Sequence, residues 1–386
     1  GQWGLLLAYG ALPWIVAAAL RVRRGERHGV PLLLAAAVPA AVTPTGGLIA
    51  LATVLVLVGC KPWLALAGTA LLNAPWLLAT AFSQADGRSD PAGVAAFAAR
   101  GSDWSGVFGA LLGTGGIWNA QTTLPSRTSP LAPIGTLLLL ALAVAGWRSL
   151  RERWPDGVAI RLLVLAGGGL LLGAIAVLPG GRNLMEWLVS DVPGAGVLRD
   201  GHKFLVPYAL LLCIAAALGA ERAGHRAVLA GALLLPVVVQ PDLAYGAAGR
   251  LLPVHYPADF AVVAAEVGRA PGPVVSLPFF GYHTYPWNRS RTVIDPLPRY
   301  LDADVLTDDR LVVGDRAVAG ENRRAAEVRR TLDAGLPLAG LDVRWVVVQR
   351  VEGAATIPPT ALAGLRLVHA GIDLQLYENG SSQGSY

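Results

Sequence analysis

Long apolar runs separated by short basic turns set the pattern of the first two-thirds of the chain. Residues 3–20 are closed by the arginine-rich turn 21–27, and the runs 30–43 and 48–59 are joined by Thr43-Pro44-Thr45-Gly46-Gly47. After Cys60-Lys61-Pro62 come 63–82, then 131–146 and 160–178 around the basic turn 147–154, then 204–220 and 228–239 around 221–226. About 20 helical residues cross the hydrocarbon core of a bilayer. The pattern therefore predicts a polytopic α-helical membrane protein with about eight transmembrane helices. Alternating their sides puts the basic turns 21–27, 61, 148–153 and 222–226 on one face. Loops 83–130 and 180–203 and the C-terminal region fall on the other. The positive-inside rule makes the basic face cytoplasmic and predicts an extracytoplasmic C-terminal region.

From about Arg250 the spans stop and shorter periods begin. Residues 257–269 predict an amphipathic helix with Phe260, Val263 and Val267 on one face, ended by Pro271-Gly272-Pro273. Strands are predicted at 274–277 and 343–348, and a second helix at 321–334. A hairpin is predicted from 365–368 and 372–377, with Ile372, Leu374 and Leu376 turned inward. The expected organisation is a transmembrane bundle over 1–249 with a long outer loop at 83–130, an α/β domain over 250–378, and a flexible Gly/Ser-rich tail at 379–386.

Composition supports that class. The 386 residues are 54% hydrophobic and 15% charged, with mean hydropathy +0.52, which excludes an ordinary soluble protein. The net charge of +5 is no nucleic-acid signature, because the arginines gather in short turns. Cys60 and Cys213 lie in apolar runs, so neither a disulfide scaffold nor a metal-ligand spacing is expected. Met185 is the only methionine and the chain opens Gly1-Gln2-Trp3, so a preceding segment is expected.

The charged stretch with chemistry in it is Val192-Pro193-Gly194-Ala195-Gly196-Val197-Leu198-Arg199-Asp200-Gly201-His202-Lys203-Phe204, at the mouth of the 204–220 run. Lys61 and Lys203 are the only lysines. Cations at a membrane mouth suit a phosphate or lipid-pyrophosphate contact, or else a solvated helix end with Lys203 reaching for headgroups. Loop 83–130 is too long for a mere connector. Val94, Phe97, Trp104, Phe108 and Leu111 fall near helical spacing, which suggests an interfacial segment. In Gly113-Thr114-Gly115-Gly116-Ile117-Trp118-Asn119, Trp118 offers a stacking face and Asn119 an amide for a sugar or lipid headgroup. An interfacial turn is the preferred reading.

Among later residues, 279–289 are dense in aromatics around His283, suited to a carbohydrate groove or, preferably, to packing the domain onto the membrane face of the bundle; His283 is read as a satisfied packing residue. Asp302, Asp304, Asp308 and Asp309 lack the spacing of a calcium loop and are read as a solvated turn. No metal site, Walker motif, HExxH or Ser-His-Asp arrangement is present to assign catalysis or a cofactor.

With its many spans, the arrangement resembles the GT-C superfamily of polyprenyl-phosphate-dependent glycosyltransferases, in particular actinobacterial, arabinofuranosyltransferase-like members. The residues that carry the resemblance are Thr43-Pro44-Thr45-Gly46-Gly47, Gly115-Gly116-Ile117-Trp118-Asn119, Arg199-Asp200-Gly201-His202-Lys203-Phe204 and the strands at 343–348 and 372–377. The resemblance implies transfer of a sugar from a polyprenyl-phosphate donor to an extracytoplasmic glycan or glycolipid of the cell envelope, with membrane lipids as surroundings. It implies an acidic general base in an outer loop upstream of this chain. Cations that neutralise the departing phosphate map onto Arg199 and Lys203, with His202 beside them. Two other classes fit the spans: a lipid or polysaccharide transporter or flippase, and a membrane scaffold with an outer carbohydrate-binding domain.

Overall fold

The computed structural model describes residues 3–59, 62–82, 87–154, 156–313 and 316–380. Cys60, Lys61 and residues 381–386 of the expected tail lie outside the described residues. The chain divides into two compact units, Gly1–Ser83 with Gly87–Leu251, and Leu252–Tyr386 with Gln84–Asp86.

The apolar runs of the first unit are helical. α1 (Trp3–Arg23), α2 (Gly29–Ala41), α3 (Pro44–Val58), α4 (Trp63–Leu71) and α5 (Ala74–Phe82) come first. The long loop holds short α6 (Ala92–Ala96) and α7 (Gly106–Leu112). α8 (Leu131–Arg153), α9 (Val158–Ala174), α10 (Gly181–Asp191), α11 (Val206–Arg222), α12 (Arg226–Val239) and the left-handed turn α13 (Ala244–Gly249) complete the unit.

Among the described residues four segments are long and apolar enough to cross a membrane: Trp3–Arg23, Leu131–Arg153, Val158–Val177 and Gly201–Arg222. Two bent pairs, α4 with α5 at 51° and α12 with Pro241–Gly249 at 69°, bring the number to six if each is one span. α2 and α3 have 13 and 15 residues. At 1.5 Å per residue they reach only about 20 Å, short of a core of about 30 Å. These two short helices and the two bent pairs separate the eight apolar runs of the sequence from the four full-length spans. The chain is a multi-pass membrane protein.

Small residues let these helices approach. A Cβ on Gly146 would meet the Ala215 carbonyl, and one on Gly219 would meet the Leu142 carbonyl, so α8 and α11 cross with backbones in contact. Close crossings of this kind replace the hydrophobic drive that lipid removes. The Thr-Pro-Thr-Gly-Gly motif has a similar cause. Thr43 caps α3 by accepting from Gly46 N at 3.2 Å, and Pro44 opens the helix. Side chains on Gly46 and Gly47 would collide with the Ala40 carbonyl and with Asn73 at the α4–α5 break.

The predicted 83–130 interfacial segment is not one helix. Val94 and Leu111 are buried while Trp104 and Phe108 are exposed, and a non-helical stretch separates α6 from α7.

The second unit is α/β. α14 (Ala258–Arg269) buries Phe260, Val263 and Val267 as its pattern predicts. β1 (Val274–Leu277), β2 (Tyr282–Thr284), β3 (Thr292–Ile294), α15 (Leu297–Tyr300), β4 (Val305–Leu306), β5 (Leu311–Val313), β6 (Arg316–Val318), α16 (Arg323–Asp333), β7 (Trp345–Gln349), β8 (Arg366–Ala370) and β9 (Leu374–Glu378) follow. The main sheet has the order β4-β1-β7-β9-β8, parallel across β4, β1 and β7 and antiparallel across β7, β9 and β8. Leu374 and Leu376 point into the core, but Ile372, at 79% exposed, sits at the hairpin tip, outside the paired register. Asn379, read from sequence as flexible tail, is buried, and its amide donates to the carbonyls of Ala339, Leu341 and Val343.

Candidate functional site

The charged stretch is wound into two 3₁₀ turns, Ala195–Leu198 and Gly201–Leu205, directly before α11. Glycine presses the second turn onto α9: a Cβ on Gly201 would collide with the Leu172 carbonyl, and one on Gly169 with the Phe204 carbonyl. That contact sinks Asp200 to 7% exposure. Its Oδ2 lies 3.1 Å from Lys203 Nζ, whereas its Oδ1 is buried with no hydrogen-bond partner. A buried carboxylate is costly without a partner, so Lys203 is the counter-ion that Asp200 requires. The remaining oxygen is buried and unpaired.

Arg199 turns the other way. Its guanidinium carbon stands 5.1 Å from the centroid of the Phe97 ring, and Phe97 meets Trp118 edge-to-face at 4.8 Å. Two segments distant in sequence thus join through one aromatic ring. Sequence reasoning picked out Arg199 and Trp118 but missed Phe97, which it placed on a helix face. His202 faces the backbone carbonyl of Gly115, so the glycine-rich turn also lies against the charged one. Asn119 acts locally, its Oδ1 accepting from Gln121 N at 3.0 Å to cap the turn Ala120–Thr122. The structure links Arg199 to Trp118 through Phe97, sets His202 against Gly115 and Lys203 on Asp200, and leaves Asn119 in a capping role.

Arg127 is the residue that sequence reasoning passed over. Its Nη1 donates to the Gly113 carbonyl at 2.7 Å and its Nη2 to Thr114 Oγ1 at 3.4 Å. Burial pushes its guanidinium below the ordinary arginine value, while Asp103 and Tyr9 act the other way. A signal was available: Arg127 is the only cationic side chain between Arg100 and Arg148.

No known family matches the sequence, and no curated protein sequence does. Fold comparison finds solved structures. The cryo-EM structure of arabinofuranosyltransferase AftD from Mycobacteria matches with a TM-score of 0.52 at 17% identity, over 98% of this chain and 30% of that one. Two structures of a mutant of that protein give TM-scores of 0.47 and 0.48 at 16% identity, over 98% of this chain and 31% of theirs. The chain shares the fold of part of AftD. It spans less than a third of that protein's length.

The polar residues of the second unit are taken up by its own architecture. Ser276, His283 and Asp295 do converge, all buried, but Asp295 stands in the middle: Ser276 Oγ donates to its Oδ2, and His283 Nε2 lies 3.4 Å from the same oxygen. Gln349 Nε2 donates to both Ser276 Oγ and Asp295, and Tyr285 OH donates to Gln349 Oε1. Without a serine–histidine link or solvent access this is no nucleophilic triad. His283 is also less satisfied than expected, since neither ring nitrogen has a hydrogen-bond partner. Tyr285 stacks on Trp287 at 4.7 Å inside the unit, while Phe280 and Tyr282 are exposed. The acidic residues are not simply a solvated turn. Asp308 is buried against Arg310 and Arg329, Asp304 pairs with Arg324, and Asp309 accepts from Glu321 N and Asn322 N. Among the described residues no cluster of three metal-ligating side chains occurs.

Proposed function

We propose that the protein is a membrane glycosyltransferase that moves a sugar from a polyprenyl-phosphate donor to an extracytoplasmic acceptor of the cell envelope. The observation that carries this reading is the mouth of α11, where Arg199 meets Trp118 through Phe97 while His202 lies against Gly115 and Lys203 pairs with Asp200. The shared fold with part of an arabinofuranosyltransferase supports it.

In this reading Arg199 holds two phosphate oxygens with its fork, a geometry Lys cannot supply. Phe97 keeps that fork aimed. Lys203 adds charge as the phosphate departs, and Asp200 keeps Lys203 in place. Trp118 bounds the mouth on the aromatic side. The second unit, over 252–378, is the extracytoplasmic domain. The general base is supplied from outside this mouth.

A transporter would need ionisable groups along its spans. Arg161, in α9, is committed to the Val56 carbonyl at 2.7 Å, which favours the enzyme. The test is sugar transfer from a polyprenyl-phosphate donor by the purified protein in liposomes. Transfer that falls by about tenfold or more in Arg199→Gln supports the reading. Donor translocation without transfer contradicts it.

A further inference from the structure

A groove of about 190 Å³ runs between α8, α11 and α12 in the first unit. Its walls are apolar, with Leu139, Leu212 and Val239 among them, and its polar end is formed by Arg127 and Thr114. An apolar cavity of about 150 Å³ already admits a benzene ring, so this one accommodates a stretch of hydrocarbon chain. α12, which forms one wall, buries none of its residues in the unit.

Arg127 is half-buried and forms no ion pair among the described residues. Its hydrogen bonds to the Gly113 carbonyl and Thr114 Oγ1 use two of five N–H donors, and both acceptors are neutral. A desolvated guanidinium beside hydrocarbon is expensive unless an anion meets it. Its contacts also hold Thr114 in the left-handed region, at φ 60°, which a β-branched residue adopts only under constraint. One strained turn and one cation without an ion-pair partner among the described residues thus cap an apolar groove.

We infer that this groove binds an anionic phospholipid of the surrounding bilayer, with its phosphodiester on Arg127 and part of one acyl chain between α8, α11 and α12. The match is one of charge and shape. A single fixed cation suits a singly charged phosphodiester, and the hydrocarbon walls suit an acyl chain. The inference does not rest on the glycosyltransferase reading, whose phosphate contacts are Arg199 and Lys203.

Native mass spectrometry of the purified, delipidated protein re-exposed to phosphatidylglycerol or phosphatidylcholine tests it. The expected result is retention of one phosphatidylglycerol, favoured about tenfold over phosphatidylcholine. Arg127→Gln should abolish that preference and Arg127→Lys keep part of it. Because Arg127 also braces the Gly113–Thr114 turn, Cys213→Trp provides a second probe: Cys213 lines the groove away from that turn, and filling it should expel the lipid. Arg199→Gln should retain it. Equal retention of the two lipids, or unchanged retention in both Arg127→Gln and Cys213→Trp, overturns the inference. Displacement of phosphatidylglycerol by equimolar polyprenyl phosphate overturns it too, by giving the groove to the donor.

Discussion

The Arg199 guanidinium lies over the ring of Phe97, 5.1 Å from its centroid, and so ties the charged turn before α11 to the loop between α5 and α8. A cation–π contact is worth about 0.5–1 kcal/mol when exposed and about 2 when desolvated. Phe97→Leu should therefore weaken polyprenyl-phosphate binding by roughly three- to thirtyfold while leaving the charge of the site unchanged. Isothermal titration of the two proteins with the lipid phosphate measures this. Equal affinities would reduce Phe97 to packing.

Asp200 and Lys203 should behave as a coupled pair. Lys203→Gln strands a buried carboxylate, and breaking one partner of a buried pair costs about 3–5 kcal/mol. Exposure of Lys203 at 30% lets solvent screen part of that, so the lower end is expected. Asp200→Asn combined with Lys203→Gln should recover most of the loss in detergent-unfolding midpoints. Additive losses in the double variant would show that the two side chains are energetically independent.

Gly201 and Gly167 make a matched contrast. A methyl on Gly201 meets the Leu172 carbonyl, whereas one on Gly167 meets nothing within 4 Å. Gly201→Ala should displace the turn and lower the melting temperature by several degrees. Gly167→Ala, in the middle of α9, should leave it unchanged or raise it, since alanine restricts the unfolded chain.

Much of this architecture was legible in the sequence because its signals are long. The apolar runs announce helices, and Phe260, Val263 and Val267 announce the buried face of α14. The eight runs are helical in the structure, but α2 and α3, at 13 and 15 residues, are shorter than the four full-length spans. The site was legible in part. Arg199 and Lys203 stand out by charge, but the burial of Asp200 and its 3.1 Å contact with Lys203 do not. Phe97 and Arg127 act through contacts distant in sequence, which no local period encodes. The short strands β2 to β6 were missed for a related reason: two or three residues carry no alternation to read.

The second unit has one carboxylate whose protonation is predicted to matter. Burial pushes Asp259 up, but the backbone N–H groups of Asp373 and Leu374 and the ring of His369 outweigh it and hold the carboxyl below its ordinary value. A group depressed in the fold stabilises above its unfolded pKa, about 3.9, and loses that contribution as pH falls through the folded value. The thermal midpoint should therefore drop below about pH 4, less steeply in Asp259→Asn. Parallel acid limbs in the two proteins would contradict this.

The orientation is tested by cysteine accessibility in intact cells, in a background with Cys60 and Cys213 replaced by serine. Ser276 is fully buried and unsuitable, whereas Thr360 is exposed. Thr360→Cys should react with an impermeant thiol reagent and Ser149→Cys should not. The reverse pattern would place the second unit in the cytoplasm.

The central claim is that the mouth of α11 grips a lipid phosphate, and its most direct measurement is polyprenyl-phosphate affinity in Arg199→Gln against Arg330→Gln on the exposed face of α16. A charge-assisted hydrogen bond is worth about 1.5–3 kcal/mol, so Arg199→Gln should bind about ten- to a hundredfold more weakly. Arg199→Lys should recover part of the loss, and Arg330→Gln should match the unmodified protein. Equal affinities for Arg199→Gln and Arg330→Gln would contradict the account.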